Sequence, residues 1–254
     1  MNIKEMHYDF KQKINRADSQ SYKNLRAPEI DWYLNEAQLV FVKSIMYPRQ
    51  KYSLEITPRH IDDLNTLVLR SRPMVPTPIY GENRYFVPLV PDRGVFDFMY
   101  FIAGEAKVHN EKCNLAEDTP DYKMARLFSR KHIDLHERNV FYNSSYEWRE
   151  ISVEFEKIPG DLAYNMILFT DGDFANKGSF IIDEVFIDYL KRPRVLYYGG
   201  YNMMSGRTPE HPQDCELPEH VHSEVVDIAV LLATGAMQLP DYQTKFEKIK
   251  LNNN

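Results

Sequence analysis

The stretch DWYLNEAQLVFVKSIM, residues 31–46, constrains the fold more than any other part of the chain. Ile30, Tyr33, Leu34, Ala37, Phe41 and Ile45 recur at helical spacing and make one apolar face. Trp32, Leu39, Val42 and Met46 lie off that face and are apolar as well. A helix that is hydrophobic nearly all round is expected to be buried nearly all round. This one therefore belongs either at the centre of a bundle or between subunits, and Trp32, Tyr33, Phe41 and Met46 are the candidate subunit-interface residues.

The flanking sequence also reads as helix. Ile3, Met6, Phe10 and Ile14 share one stripe, with Asn2 and Glu5 spaced as a capping box. A polar stretch from Asp18 to Asn24 interrupts the pattern, and Pro28 suits the first turn of the next helix. Pro48 ends that helix. Thr57-Pro58 then opens a third, with Ile61, Leu64, Leu67 and Val68 at helical spacing. Residues 1–68 are thus expected to form an N-terminal helical region.

Beyond it the texture changes. Pro73, Pro76, Pro78, Pro88 and Pro91 exclude a long helix. Tyr85, Val87 and Leu89 alternate with other residues, as do Ile151, Val153 and Phe155 with Ser152, Glu154 and Glu156. Val185, Ile187 and Tyr189 face one way in a later run. Strands without intervening helices predict an antiparallel β-sandwich or jelly-roll-like domain over residues 69–198. Glycines and prolines mark a loop at 199–216. Residues 217–254 supply a C-terminal helix and tail, with Pro218 in the first turn, a stripe of Leu217, Val221, Val225, Ile228 and Leu232, and Gly235 placed to cap the end. The fold class is α+β, and the C-terminal helix is expected to pack on the N-terminal ones.

A chain of 254 residues buries a real core without staples. Its 17 Tyr, 14 Phe and 2 Trp are rich for its size, and suit either β-strands or protein interfaces. The formal net charge of −6 argues against nucleic acid as the main partner. The small basic groups at Arg70 and Arg72, and at Lys191, Arg192 and Arg194, read as solvated element ends. Cys113 and Cys215 have no paired spacing and fit unpaired thiols in a reducing compartment. The first residues lack the apolar core of a signal peptide and no run suits a membrane span, so a protein made and kept in a cytoplasm, with no membrane partner, is expected.

No nucleophile elbow, zincin motif, phosphate-binding loop or dinucleotide fingerprint occurs. Asp171-Gly172-Asp173 resembles the start of a calcium loop but lacks its later oxygen donors, and reads as a hairpin turn. His211, Cys215, His220 and His222 are zinc-ligand types, yet their spacing matches no standard knuckle. Cys215 has no oxyanion element near it, and Asp183 and Glu184 point to opposite faces of a strand. No catalytic, cofactor-binding or metal residue is assigned, and a non-enzyme is expected.

The two ends of the chain carry a resemblance. The opening KEMHYDFKQKINRADSQSYKNLRAPEIDWYLNEAQLVFVK has Tyr8-Asp9-Phe10 in a first helix, a polar break, and a Trp32 helix reading Leu-Asn-Glu-Ala-Gln. It resembles the start of ring proteins from the head–tail connector of crAss-like, short-tailed bacteriophages. IDYLKRPRVL and ELPEHVHSEVVDIAVLLATG are similar to the last strand and C-terminal helix of that family. The resemblance implies a virion protein of the portal vertex, or neck, assembled in the bacterial host cytoplasm. It implies a dodecameric ring of identical copies below the portal protein, in contact with other connector or tail ring proteins, with DNA only as passing cargo. The alternative is a carbohydrate-binding β-sandwich module of a tail or adhesin complex, with Tyr146 and Trp148 as a stacking platform.

Overall fold

The structure, a computed structural model, describes residues 1–15, 25–46, 62–79, 84–89, 97–109, 121–128, 144, 150–157, 164–170, 180–203, 206 and 208–237. The chain divides into two compact units. One combines Met1–Leu67 with Pro193–Asn254, and the other is Val68–Arg192. The fold is α+β, with helices at both ends and a large sheet between them in sequence.

The helical unit follows its apolar stripes. In α1 (Ile3–Asn15), Ile3, Met6, Phe10 and Ile14 are all buried. Its start is closed reciprocally: Asn2 N–H donates to Glu5 Oε2 and Glu5 N–H to Asn2 Oδ1, each at 2.9 Å. In α2 (Ala27–Met46), Ile30, Leu34, Ala37, Phe41 and Val42 are buried. A short 3₁₀ turn at Glu219–Val221 leads into α3 (His222–Ala236), which packs on both α1 and α2. Burying each of the larger side chains contributes about 1.5–3 kcal/mol. Lys13 ties the helices at the surface, reaching Asp9 at 2.8 Å and Asp227 at 2.7 Å.

Three expectations change here. Val68 is not on the third helical stripe. The helix has already ended, Leu64 and Leu67 are its buried contribution, and Val68 opens a strand opposite Leu190. Gly235 lies inside α3 rather than capping it, and the helix ends at Met237, whose N–H bonds to Ala233 and Gly235 carbonyls. Residues 193–198 belong with the helical unit rather than the β domain, because side chains of α2 hold their backbone, as described below.

Among the described residues the β unit is one hydrogen-bonded sheet of eight strands. These are β1 (Val68–Arg70), β2 (Thr77–Pro78), β3 (Arg84–Leu89), β4 (Phe98–His109), β5 (Asp121–Leu127), β6 (Glu150–Lys157), β7 (Tyr164–Phe169) and β8 (Ile181–Lys191). Their order is β1-β8-β4-β5-β6-β7-β3-β2. The sheet is mixed rather than wholly antiparallel: β5 and β6 run parallel, with Met124 opposite Glu150.

The sheet also curls. Strands three places apart in a flat sheet lie about 14 Å from each other. Yet the rings of Phe98 on β4 and Tyr164 on β7 are 6.0 Å apart, and Phe101 is 5.3 Å from Phe155 on β6. The segment after β1 draws the far sides together. Met74 exchanges backbone hydrogen bonds with Val185 of β8 at 3.0 and 2.9 Å, and Thr77 pairs with Phe86 of β3. Three residues span at most about 10 Å. One bent stretch of chain therefore bridges β8 and β3. The inner faces of opposite strands meet, which is the packing a sandwich achieves with two sheets. Val87, Ala106, Ile151, Val153, Met166, Leu168, Val185 and Ile187 fill the interior.

Candidate functional site

The richest polar constellation lies in the helical unit and is built by one face of α2. Asp31, Asn35 and Gln38 stand at i, i+4 and i+7, so they share a side of the helix. Asp31 is buried, and three donors converge on its carboxylate. His7 Nε2–H reaches Oδ1 at 2.6 Å, Tyr198 N–H reaches Oδ2 at 2.8 Å, and the Tyr201 hydroxyl also donates to Oδ2. A carboxylate out of water needs such partners. Asn35 clasps the backbone of Leu196 with both ends of its amide. Gln38 Oε1 accepts from Cys215 Sγ at 3.5 Å.

These bonds seat the segment after β8 against α2. Its own fold helps. Tyr197 and Gln213 exchange backbone hydrogen bonds at 3.2 and 2.8 Å, and the Tyr197 hydroxyl donates to Tyr201 O at 2.5 Å. The turn between those tyrosines needs Gly199 and Gly200, whose φ values are 106° and 83°. The Tyr198 ring lies 4.6 Å from that of His7. The network is chemically closed, since both Asp31 oxygens are occupied. Burial, then the bond to Asp31, holds the Tyr201 phenol far above its ordinary value. Burial pushes the Cys215 thiol up to about 11, so it is protonated at neutral pH and a poor nucleophile.

Of the candidate zinc ligands, Cys215 is engaged with Gln38 and two of the histidines have separate partners. His220 Nε2 pairs with Asp63 at 2.7 Å, and His222 Nε2 donates to Leu217 O at 2.8 Å. Among the described residues, no group of three His, Cys, Asp or Glu side chains is arranged to hold a metal. Asp183 pairs with His109 at 2.9 Å. Arg70 pairs with Glu105, and Arg194 with Glu216 at 3.6 Å. Asp171-Gly172-Asp173, Tyr146 and Trp148 lie outside the described residues.

The interface candidates separate. Phe41 is 2% exposed and belongs to the core of its own chain, a correction: its stripe is covered by the chain's own helices. Trp32 is 60% exposed, so this side of α2 is left uncovered by the chain itself. Tyr33 and Met46 are half-buried. Trp32 ends an aromatic ladder. It meets Tyr33 edge-on with centroids 5.0 Å apart, and Tyr33 lies 6.4 Å from the fully buried Phe10. The network around Asp31 escaped the sequence reading, although a polar stripe at i, i+4 and i+7 on an otherwise apolar helix was a visible signal. No protein-family model matches the chain, and no curated protein matches it.

Proposed function

We propose that this chain is a non-enzymatic structural subunit of a virion, one copy in a ring of the head–tail connector of a crAss-like, short-tailed bacteriophage. The ring sits below the portal protein, joins capsid to tail and surrounds the DNA passage. One observation carries the assembly part of this proposal: a tryptophan that is 60% exposed yet braced through Tyr33 on a buried phenylalanine. A large aromatic presented on a firm base is the form that interface anchors take. The location in a connector, and the dodecameric copy number, rest on the resemblance of the two chain ends. The net charge of −6 suits a passage that DNA traverses without adhering.

The test is Trp32→Asp. The expected variant is folded, with the far-ultraviolet spectrum of the wild type, and forms no rings by negative-stain imaging. Intact rings from the variant contradict a role for this helix at the interface.

A further inference from the structure

The helical unit carries two outward stripes of opposite charge, each centred on an aromatic side chain. On α1, Lys4, Tyr8 and Lys11 stand at i, i+4 and i+7 and are all exposed, Tyr8 at 67%. Of the neighbouring acids, Asp9 pairs with Lys13, and Glu5 is exposed beside the stripe, capping the helix through the Asn2 N–H. On α2, Glu29, Trp32 and Glu36 stand at i, i+3 and i+7 and are exposed as well. Glu29 gives one oxygen to the Arg26 N–H at 2.7 Å. Exposed cations flank this stripe, Arg26 three residues before Glu29 and Lys43 seven residues after Glu36.

We propose that the Lys4–Tyr8–Lys11 stripe of one copy docks against the Glu29–Trp32–Glu36 stripe of a second copy. This rests on the ring assignment above and names its contact surfaces. Each stripe offers an aromatic flanked by a charge on either side, and the signs are opposite. The open surface around Tyr8 also carries Asn2, Lys4, Glu5, Asp9 and Gln12. Both members of the pair occur on this one chain, which favours a second copy over an unrelated partner. The two surfaces differ, so the contact is head-to-tail, and each copy that binds leaves the next surface free. Such contacts close into rings when the rotation allows.

The experiment uses full-length chains: Lys4→Glu/Lys11→Glu, Glu29→Lys/Glu36→Lys, and the wild type, with circular dichroism to verify folding. Sedimentation velocity and native mass spectrometry at low salt read the assembly, with the portal added where the wild type needs it. Each variant faces like charge with like and is expected to lose at least about tenfold in self-affinity. An equimolar mixture restores opposite charges at every contact and is expected to recover assembly. Added salt weakens the wild-type contact. Folded variants that assemble as the wild type does, or a mixture that stays dissociated, overturn this interface and leave the ring assignment standing. A wild type that never self-associates overturns both.

Discussion

Asn35 and Leu196 are joined by two hydrogen bonds, the side-chain amide of one reading the backbone of the other. Asn35 Nδ2 donates to Leu196 O at 3.0 Å, and Leu196 N–H donates to Asn35 Oδ1 at 2.8 Å. Asn35 thereby stands in for a paired strand, and it fastens a segment that has little secondary structure to a helix far away in sequence. Asn35→Ala leaves both Leu196 groups without their partners at a buried position, and a cost of about 2–3 kcal/mol follows. Urea unfolding of the helical unit measures it, and amide exchange at Leu196 is expected to rise in the variant.

Asp31→Ala is expected to cost more, about 3–5 kcal/mol, because His7, Tyr198 and Tyr201 all lose the same acceptor. Thermal melting of the variant checks this. Asp31→Asn retains a carbonyl oxygen to accept and is expected to fall between it and the wild type.

Phe41 and Trp32 separate stability from assembly. Phe41→Ala opens a cavity in the core of the helical unit and is expected to cost about 3–5 kcal/mol. Trp32→Ala removes an exposed side chain, and its stability is expected to stay within about 1 kcal/mol of the wild type while self-association is lost. Denaturation curves and sedimentation of the two variants, run side by side, give the comparison. A Trp32→Ala chain that unfolds as readily as Phe41→Ala contradicts the division.

Alkali should weaken the helical unit. The Cys215 thiol is raised from 9.0 to about 11, chiefly by burial, and the Tyr201 phenol is raised as well. Both groups are neutral when protonated, and the folded chain holds these protons more tightly than the unfolded chain. The stabilisation is complete below the unfolded values and is lost as pH rises through the folded ones. For Cys215 the window runs from about pH 9 to 11 and is worth about 3 kcal/mol. Urea midpoints at pH 8 and 10.5 measure it, and Cys215→Ala should lose less over the same interval. At pH 8 the native thiol should react with iodoacetamide about a hundredfold more slowly than in denaturant.

Gly104 tests the close approach of β4 to its neighbour β5. A Cβ there would lie 2.8 Å from Ala125 Cβ and 3.2 Å from the Phe101 ring. Gly104→Ala is expected to destabilise the β unit by about 1–3 kcal/mol, as read by its thermal transition.

Much of this architecture was legible because local patterns determine it. The capping pair Asn2 and Glu5, the α1 stripe, and the alternation of Ile151, Val153 and Phe155 fix an element and its inward face. Strand alternation says nothing about direction, so the parallel pairing of β5 with β6 was not legible. Nor was the single curled sheet, which depends on Met74 and Thr77 meeting strands remote in sequence. At the candidate site, Trp32 and Phe41 read alike as apolar residues of one helix. Only the folding of the whole helical unit decides that Phe41 is core and Trp32 is surface. The partners of Asp31 and Asn35 come from residues 196–201, which no helical or strand period connects to α2.

The most direct test of the ring assignment is the mass and shape of the purified wild-type chain, by native mass spectrometry with negative-stain imaging, with and without a connector portal. Closed rings, formed alone or on the portal, are the expected result. A chain that stays monomeric at all concentrations and is indifferent to the portal contradicts it.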